Sequence, residues 1–153
     1  MPGRSPQNVG RRHTSRQDAL RKVRQGLDDA LTLPAGDERR WIQNLLLALQ
    51  RVRRTFRLHV LEAEADDGSL QEIVTVKPQL ARRVALLRAE HSSLREEIAV
   101  LCARAIDQVD SAKMDVESLR LDAGRLQDHL LKHQAKGADI LWDAFVRTEG
   151  GEG

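Results

Sequence analysis

The chain has 153 residues, of which 41% are hydrophobic and 31% charged, so it is long enough for one folded domain with a buried core. Two Phe, two Trp and no Tyr leave an aliphatic core, which suits packed helices better than a sheet. The net charge of +2 excludes a strong overall attraction to nucleic acid or membrane, and the single Cys102 excludes an internal disulfide framework. With no signal-peptide pattern and no segment apolar enough to span a bilayer, we expect a cytoplasmic protein.

Residues 1–14 are rich in Pro, Gly, Ser and Arg, and we expect them to form a disordered basic arm. Seven basic residues face only Asp18 among the first 25 residues, so the arm has the charge to contact an acidic partner. No aromatic residues interleave with these arginines, which makes nucleic acid a poor candidate partner. A solvated terminus without a partner is the favoured interpretation.

The first helix is predicted over residues 15–31, and Pro34 and Gly36 end it. The second helix is predicted over residues 37–65, with Asp37 as its N-cap. Its inner stripe advances by four and three residues and ends on a histidine: Trp41, Leu45, Leu49, Val52, Phe56 and His59.

Residues 68–77 fit either a packed loop or a short helix. The third helix is predicted over residues 78–109, since Pro78 suits a helix start. Its stripe is a heptad pattern in which every member but one is apolar: Leu80, Val84, Leu87, His91, Leu94, Ile98, Leu101 and Ala105.

The fourth helix is predicted over residues 111–147, with Ser111 as a candidate cap and a flexible tail over residues 148–153. Its predicted inner face comprises Leu119, Leu126, His129, Leu130, His133, Ile140 and Ala144. Four long amphipathic helices with modest connections and no strand pattern predict an all-α, up-down-up-down four-helix bundle over residues 15–147.

Four histidines thus fall on predicted inner stripes of three helices. His129 and His133 lie one turn apart, and His91 sits at nearly the same depth in the third helix as His129 in the fourth. Simple antiparallel pairing leaves His59 offset by roughly 9 Å. Glu62, one turn beyond His59, is the best placed carboxylate. Converging imidazoles in a bundle core predict a metal site, whereas separate histidines that pack as core residues are the alternative.

The chain resembles the hemerythrin-like, or HHE cation-binding, domain family over about residues 16–147. The resemblance rests on three stretches in order: FRLHVLEAE, PQLARRVALLRAEHSSL and LQDHLLKHQAKGADILWDAF. It implies a four-helix bundle that holds non-haem iron and binds or responds to oxygen, nitric oxide or iron. The family's di-iron site uses seven protein side chains, and this chain supplies fewer candidates.

We therefore expect a single ion, iron or alternatively zinc, in a sensing or storage role rather than oxygen carriage. The expected ligands are His59, Glu62, His91, His129 and His133. A metal-free scaffold or protein interaction module is the alternative function. No Ser-His-Asp order, phosphate-binding glycine loop or paired catalytic carboxylate is present, so an enzyme is not expected.

Overall fold

The computed structural model describes residues 6–146, which form four long helices, one short helix and a 3-10 turn. The elements are α1 (Pro6–Thr32), α2 (Glu38–Glu64), α3 (Ser69–Val76), the turn at Pro78–Leu80, α4 (Ala81–Val109) and α5 (Val116–Phe145). No strand occurs within residues 6–146, which confirms the all-α prediction. None of these helices is both long and apolar enough to cross a membrane.

The N-terminal helix is longer than the sequence predicted. α1 begins at Pro6 rather than at Ser15. Proline is favoured at the first helical position because its missing N–H needs no partner there. Residues 6–14 are thus helical in the structure, where the sequence led us to expect a disordered arm. Residues 1–5 and the predicted tail at 148–153 lie outside the described residues.

The predicted start of the second helix is confirmed. Asp37 caps α2 by accepting a hydrogen bond from the backbone N–H of Arg40 at 3.1 Å. The undecided segment at 68–77 is mostly the short helix α3. Gly68 connects the two helices at a point where an added Cβ would lie only 2.1 Å from the carbonyl oxygen of Glu62, so no larger residue fits without a backbone shift.

The start of the last helix differs from the prediction. Asp115, and not Ser111, caps α5, since its carboxylate accepts from the backbone N–H of Ser118 at 3.0 Å. Ser111 instead stabilises the preceding turn by accepting from the N–H of Lys113 at 3.1 Å. Gly137 does not interrupt α5, which is continuous from Val116 to Phe145.

Contacts between helices establish their relative directions. Ion pairs join α4 to α5 at intervals of seven residues on both helices, and we call this set the ladder: Arg83–Asp143, Glu90–Lys136, Glu97–His129 and Arg104–Asp122. From one pair to the next, the residue number on α4 rises while that on α5 falls, so the two helices are antiparallel. α2 and α4 are also antiparallel, because Arg39 pairs with Asp110 at one end and Glu64 with Arg88 at the other.

The predicted stripes of α2 and α4 are buried along their whole length. They contribute to two apolar clusters. The larger cluster includes Phe56, Leu94 and Leu130, and the smaller one, under α3, includes Leu87 and Ile140. Each fully buried aliphatic or Phe side chain contributes roughly 1.5–3 kcal/mol to folding. Between the clusters lies a layer of buried polar side chains.

Candidate metal centre

Three histidines from three helices form that polar layer. His59 on α2, His91 on α4 and His133 on α5 are 4%, 1% and 2% exposed. One ring nitrogen from each lies within 4.8 Å of the other two. The Nε2 atoms of His59 and His133 are 3.4 Å apart. We call these three residues the histidine triad; within the described residues it is the one group of this kind whose ligand atoms converge.

The heptad pattern places each triad residue where an apolar side chain would otherwise stand. His59 follows Phe56 on the α2 stripe, and His91 lies between Leu87 and Leu94 on α4. The predicted 9 Å offset of His59 is absent: its ring centroid lies 5.3 Å from that of His91. α3 contacts all four long helices, and together with the following 3-10 turn it sets where α4 begins relative to α2.

Phe56 covers the triad from the side of the larger apolar cluster. Its ring centroid lies 5.6 Å from that of His59 and 5.9 Å from those of His91 and His133. Aromatic edges and faces at such separations attract weakly, by about 0.5–1.5 kcal/mol a pair. Phe56 also keeps water from this side of the layer. A buried imidazole nitrogen there must therefore find its hydrogen-bond or metal partner within the protein.

The structure does not bring His129 to the triad. The buried face of α5 runs through Ala123, Leu126, Leu130 and His133 at four- and three-residue steps, and His129 lies beside that stripe. Its side chain is 53% exposed and its Nδ1 contacts the carboxylate of Glu97 at 2.9 Å. The prediction that both members of the i, i+4 pair face inward is wrong for this residue, because His129 lies at the flank of the buried stripe, where its ring reaches Glu97 on α4 instead of the core.

Glu62 is also absent from the triad. Its carboxylate accepts a hydrogen bond from the hydroxyl of Ser69, at 3.3 Å, in the connection between α2 and α3. This contact holds Glu62 at α3, and its oxygens are not among the ligand atoms that converge with the three histidines. Its expected role as a ligand has no support from this placement.

Two other carboxylates, which the helical spacing had not placed toward the core, lie against the triad. Glu64 Oε2 is 3.7 Å from His91 Nδ1, and Glu90 Oε2 is 3.8 Å from His133 Nδ1. Both distances are too long for a hydrogen bond. The seven-residue repeat of charges along the ladder was the sequence signal for Glu90. No sequence pattern indicates Glu64, because its contact with His91 depends on the axial offset between α2 and α4.

Burial makes His91 and His133 poor bases in the metal-free protein. Desolvation lowers the pKa of His91 below its usual value, although the nearby Glu64 opposes the shift. Desolvation, followed by the nearness of His91, lowers the pKa of His133 to about 4. At neutral pH both rings are therefore uncharged, which is the form of imidazole that binds metal ions.

The spacing of the triad suits one ion. Two imidazole nitrogens bound at 2.0–2.1 Å to a tetrahedral ion stand about 3.3 Å apart, close to the 3.4 Å between His59 and His133. The remaining ring nitrogens need to approach by at most about 1.5 Å, which side-chain rotation can supply. Both nitrogens of His91 are buried and have no hydrogen-bond partner among the described residues. Three ligands from protein leave one or more positions open.

No protein-family model, curated protein or solved structure matches this chain.

Proposed function

We propose that this protein is an up-down-up-down, hemerythrin-like four-helix bundle that holds a single non-haem metal ion, iron or zinc, with His59, His91 and His133. One observation carries the proposal. Among the described residues, neither of the two buried ring nitrogens of His91 has a hydrogen-bond partner, and two other imidazoles lie beside this ring in an apolar core. An unsatisfied buried polar group costs about 1–3 kcal/mol, and a bound ion would remove that cost.

The donor set favours one ion over a di-iron centre. Carboxylate-rich dinuclear sites in helical bundles draw Glu side chains from several helices as ligands. Here Glu64 and Glu90 approach only the Nδ1 sides of the rings, at 3.7 and 3.8 Å. A mononuclear three-histidine site with an open position supports a role in sensing a metal ion or a small ligand, and argues against reversible oxygen carriage.

A metal-free scaffold is the second candidate function, and a specific observation favours it. The triad rings pack edge-to-face on one another at centroid separations of 4.9–5.5 Å, which is an attractive arrangement without any ion. In that case the triad is a polar layer of the core, and the bundle serves as a platform for a partner.

Elemental analysis of the purified protein separates the two functions. The metal-binding function predicts close to one iron or zinc per chain after exposure to the ion and removal of excess. His133→Ala should reduce this content below a tenth of an equivalent. His129→Ala is the matched control, since it removes an exposed histidine one turn away on the same helix and should keep the metal. Metal-free wild-type protein that remains folded would favour the scaffold.

A further inference from the structure

We propose that Glu64 and Glu90 are the outer carboxylates of this centre, that they direct coordination to the Nε2 atoms, and that their charges select a divalent cation. This inference rests on the proposed metal-binding function. Metal-bound histidines usually donate the other ring N–H to a carboxylate, a carbonyl or water, which fixes the tautomer and the ring orientation.

Glu64 is placed to hold His91. Its Oε2 lies 3.7 Å from His91 Nδ1, and its side chain is 30% exposed at the end of α2. A shift of about 0.8 Å would bring the two atoms to hydrogen-bond distance. With Nδ1 carrying the proton toward Glu64, the lone pair of His91 Nε2 is left for a ligand.

Glu90 stands in the same relation to His133. Its Oε2 lies 3.8 Å from His133 Nδ1, while Oε1 accepts from the ammonium of Lys136 at 2.8 Å. His133 Nε2 already points toward Nε2 of His59, 3.4 Å away. Glu90 therefore faces one side of the ring and the converging nitrogens face the other, which is the arrangement of a carboxylate–histidine–metal unit.

The charges match a dication. Three neutral imidazoles cannot balance an ion placed among aliphatic side chains, and an uncompensated buried charge is costly. Glu64 and Glu90 supply two negative charges just outside the rings. Arg88, 3.8 Å from Glu64, and Lys136, 2.8 Å from Glu90, each offset part of them from the solvent side. The ion class that fits is a divalent, nitrogen-preferring metal such as Zn²⁺, Fe²⁺ or Co²⁺.

Glu90 also connects the centre with solvent. Together with Leu87, Lys136 and Ile140 it lines a groove of about 320 Å³ between α4 and α5. A hydrated cation in that groove meets a carboxylate before it meets an imidazole, so this is the side from which we expect the ion to reach the triad.

Zinc affinity of full-length variants tests the assignment. Glu64→Gln and Glu90→Gln keep side-chain size and one acceptor oxygen but remove the charge, and each should weaken Zn²⁺ binding about 10-fold or more, within the 10–100-fold range typical of such partners. Glu97→Gln is the matched control. Glu97 pairs with the exposed His129 on the same two helices, so its loss should leave the dissociation constant unchanged.

A second measurement does not depend on any variant. Long-range ¹H–¹⁵N NMR correlations of the zinc-loaded wild-type protein should show the proton of His91 and of His133 on Nδ1. Protons on Nε2, or wild-type zinc affinity in both Gln variants, would overturn the carboxylate assignment while zinc loss in His133→Ala still upheld the metal site. Wild-type protein that binds no zinc, iron or cobalt would overturn the metal-binding function and this inference together.

Discussion

His129 and His133 lie one turn apart on α5, and each has a glutamate of α4 beside it, yet the two places differ in every physical respect. His129 is 53% exposed and contacts Glu97 directly at 2.9 Å. His133 is 2% exposed, stands 3.8 Å from Glu90 and faces two other imidazoles. One is a solvent-exposed contact between an imidazole and a carboxylate, and the other is an uncharged ring in an apolar core.

The difference shows that burial, and not residue type or local spacing, decides what a histidine can do. At the surface, water solvates both partners, and such pairs contribute at most about 1 kcal/mol. In the core, the cost of desolvation dominates, so the ring loses its affinity for protons and keeps a lone pair for a metal ion. Substitutions in the buried layer should therefore have larger effects than substitutions at the surface pair.

The largest expected difference is in acid stability of the metal-free protein. Since the pKa of folded His133 is about 4 and that of the unfolded chain about 6.5, the unfolded state binds more protons between these values. Stability is full above pH 6.5 and falls by roughly 3 kcal/mol as the pH drops to 4. Chemical denaturation from pH 7 to 4 should show this loss. His133→Leu should reduce it, and His129→Leu should retain it.

Metal binding should stabilise the protein by a similar amount. A ligand that binds only the folded state adds about 2.7 kcal/mol when its free concentration is 100 times its dissociation constant. Thermal melts with Zn²⁺ should therefore shift upward for the wild type and for His129→Ala, and a chelator should reverse the shift. His133→Ala should melt at one temperature with or without the ion; an equal shift in both alanine variants would place the ion elsewhere.

Replacing a triad residue with an apolar one should stabilise the metal-free bundle. His91→Leu removes two buried nitrogens that lack hydrogen-bond partners and leaves an aliphatic side chain, for a gain of about 1–3 kcal/mol. Urea denaturation in the presence of a chelator measures it. Loss of stability in this variant would mean that the imidazole makes a contact worth more than its desolvation cost.

The smallest expected effect belongs to the surface pair. Glu97→Gln should change the free energy of unfolding by less than about 1 kcal/mol, and added salt should reduce even that, because both partners of the pair are solvated. Denaturation at low and high ionic strength provides the measurement. A loss of several kcal/mol would show that the contact between Glu97 and His129 contributes as much to stability as the buried layer.

Much of the fold was readable from one-dimensional patterns. The stripes of α2 and α4, including His59 and His91, are buried as their spacing predicted. On α5 the prediction was wrong at one residue, His129. A strict heptad through Ala123, Leu130 and Gly137 excludes this residue, whereas the broader inner face that we predicted included it. The heptad was hard to recognise because two of its members, Ala123 and Gly137, are small and contribute little to a hydrophobic pattern.

The sequence by itself determined which faces of α2 and α4 are buried, because a 3.6-residue period permits only one arrangement of their many aliphatic side chains. It also determined that His59, His91 and His133 face the core. Only the tertiary structure decided that these three rings meet in one layer and that Glu64 lies beside His91. Those contacts depend on how far antiparallel helices slide along one another, and α3 with the tight connection at Gly68 sets that distance. No local pattern encodes such a shift.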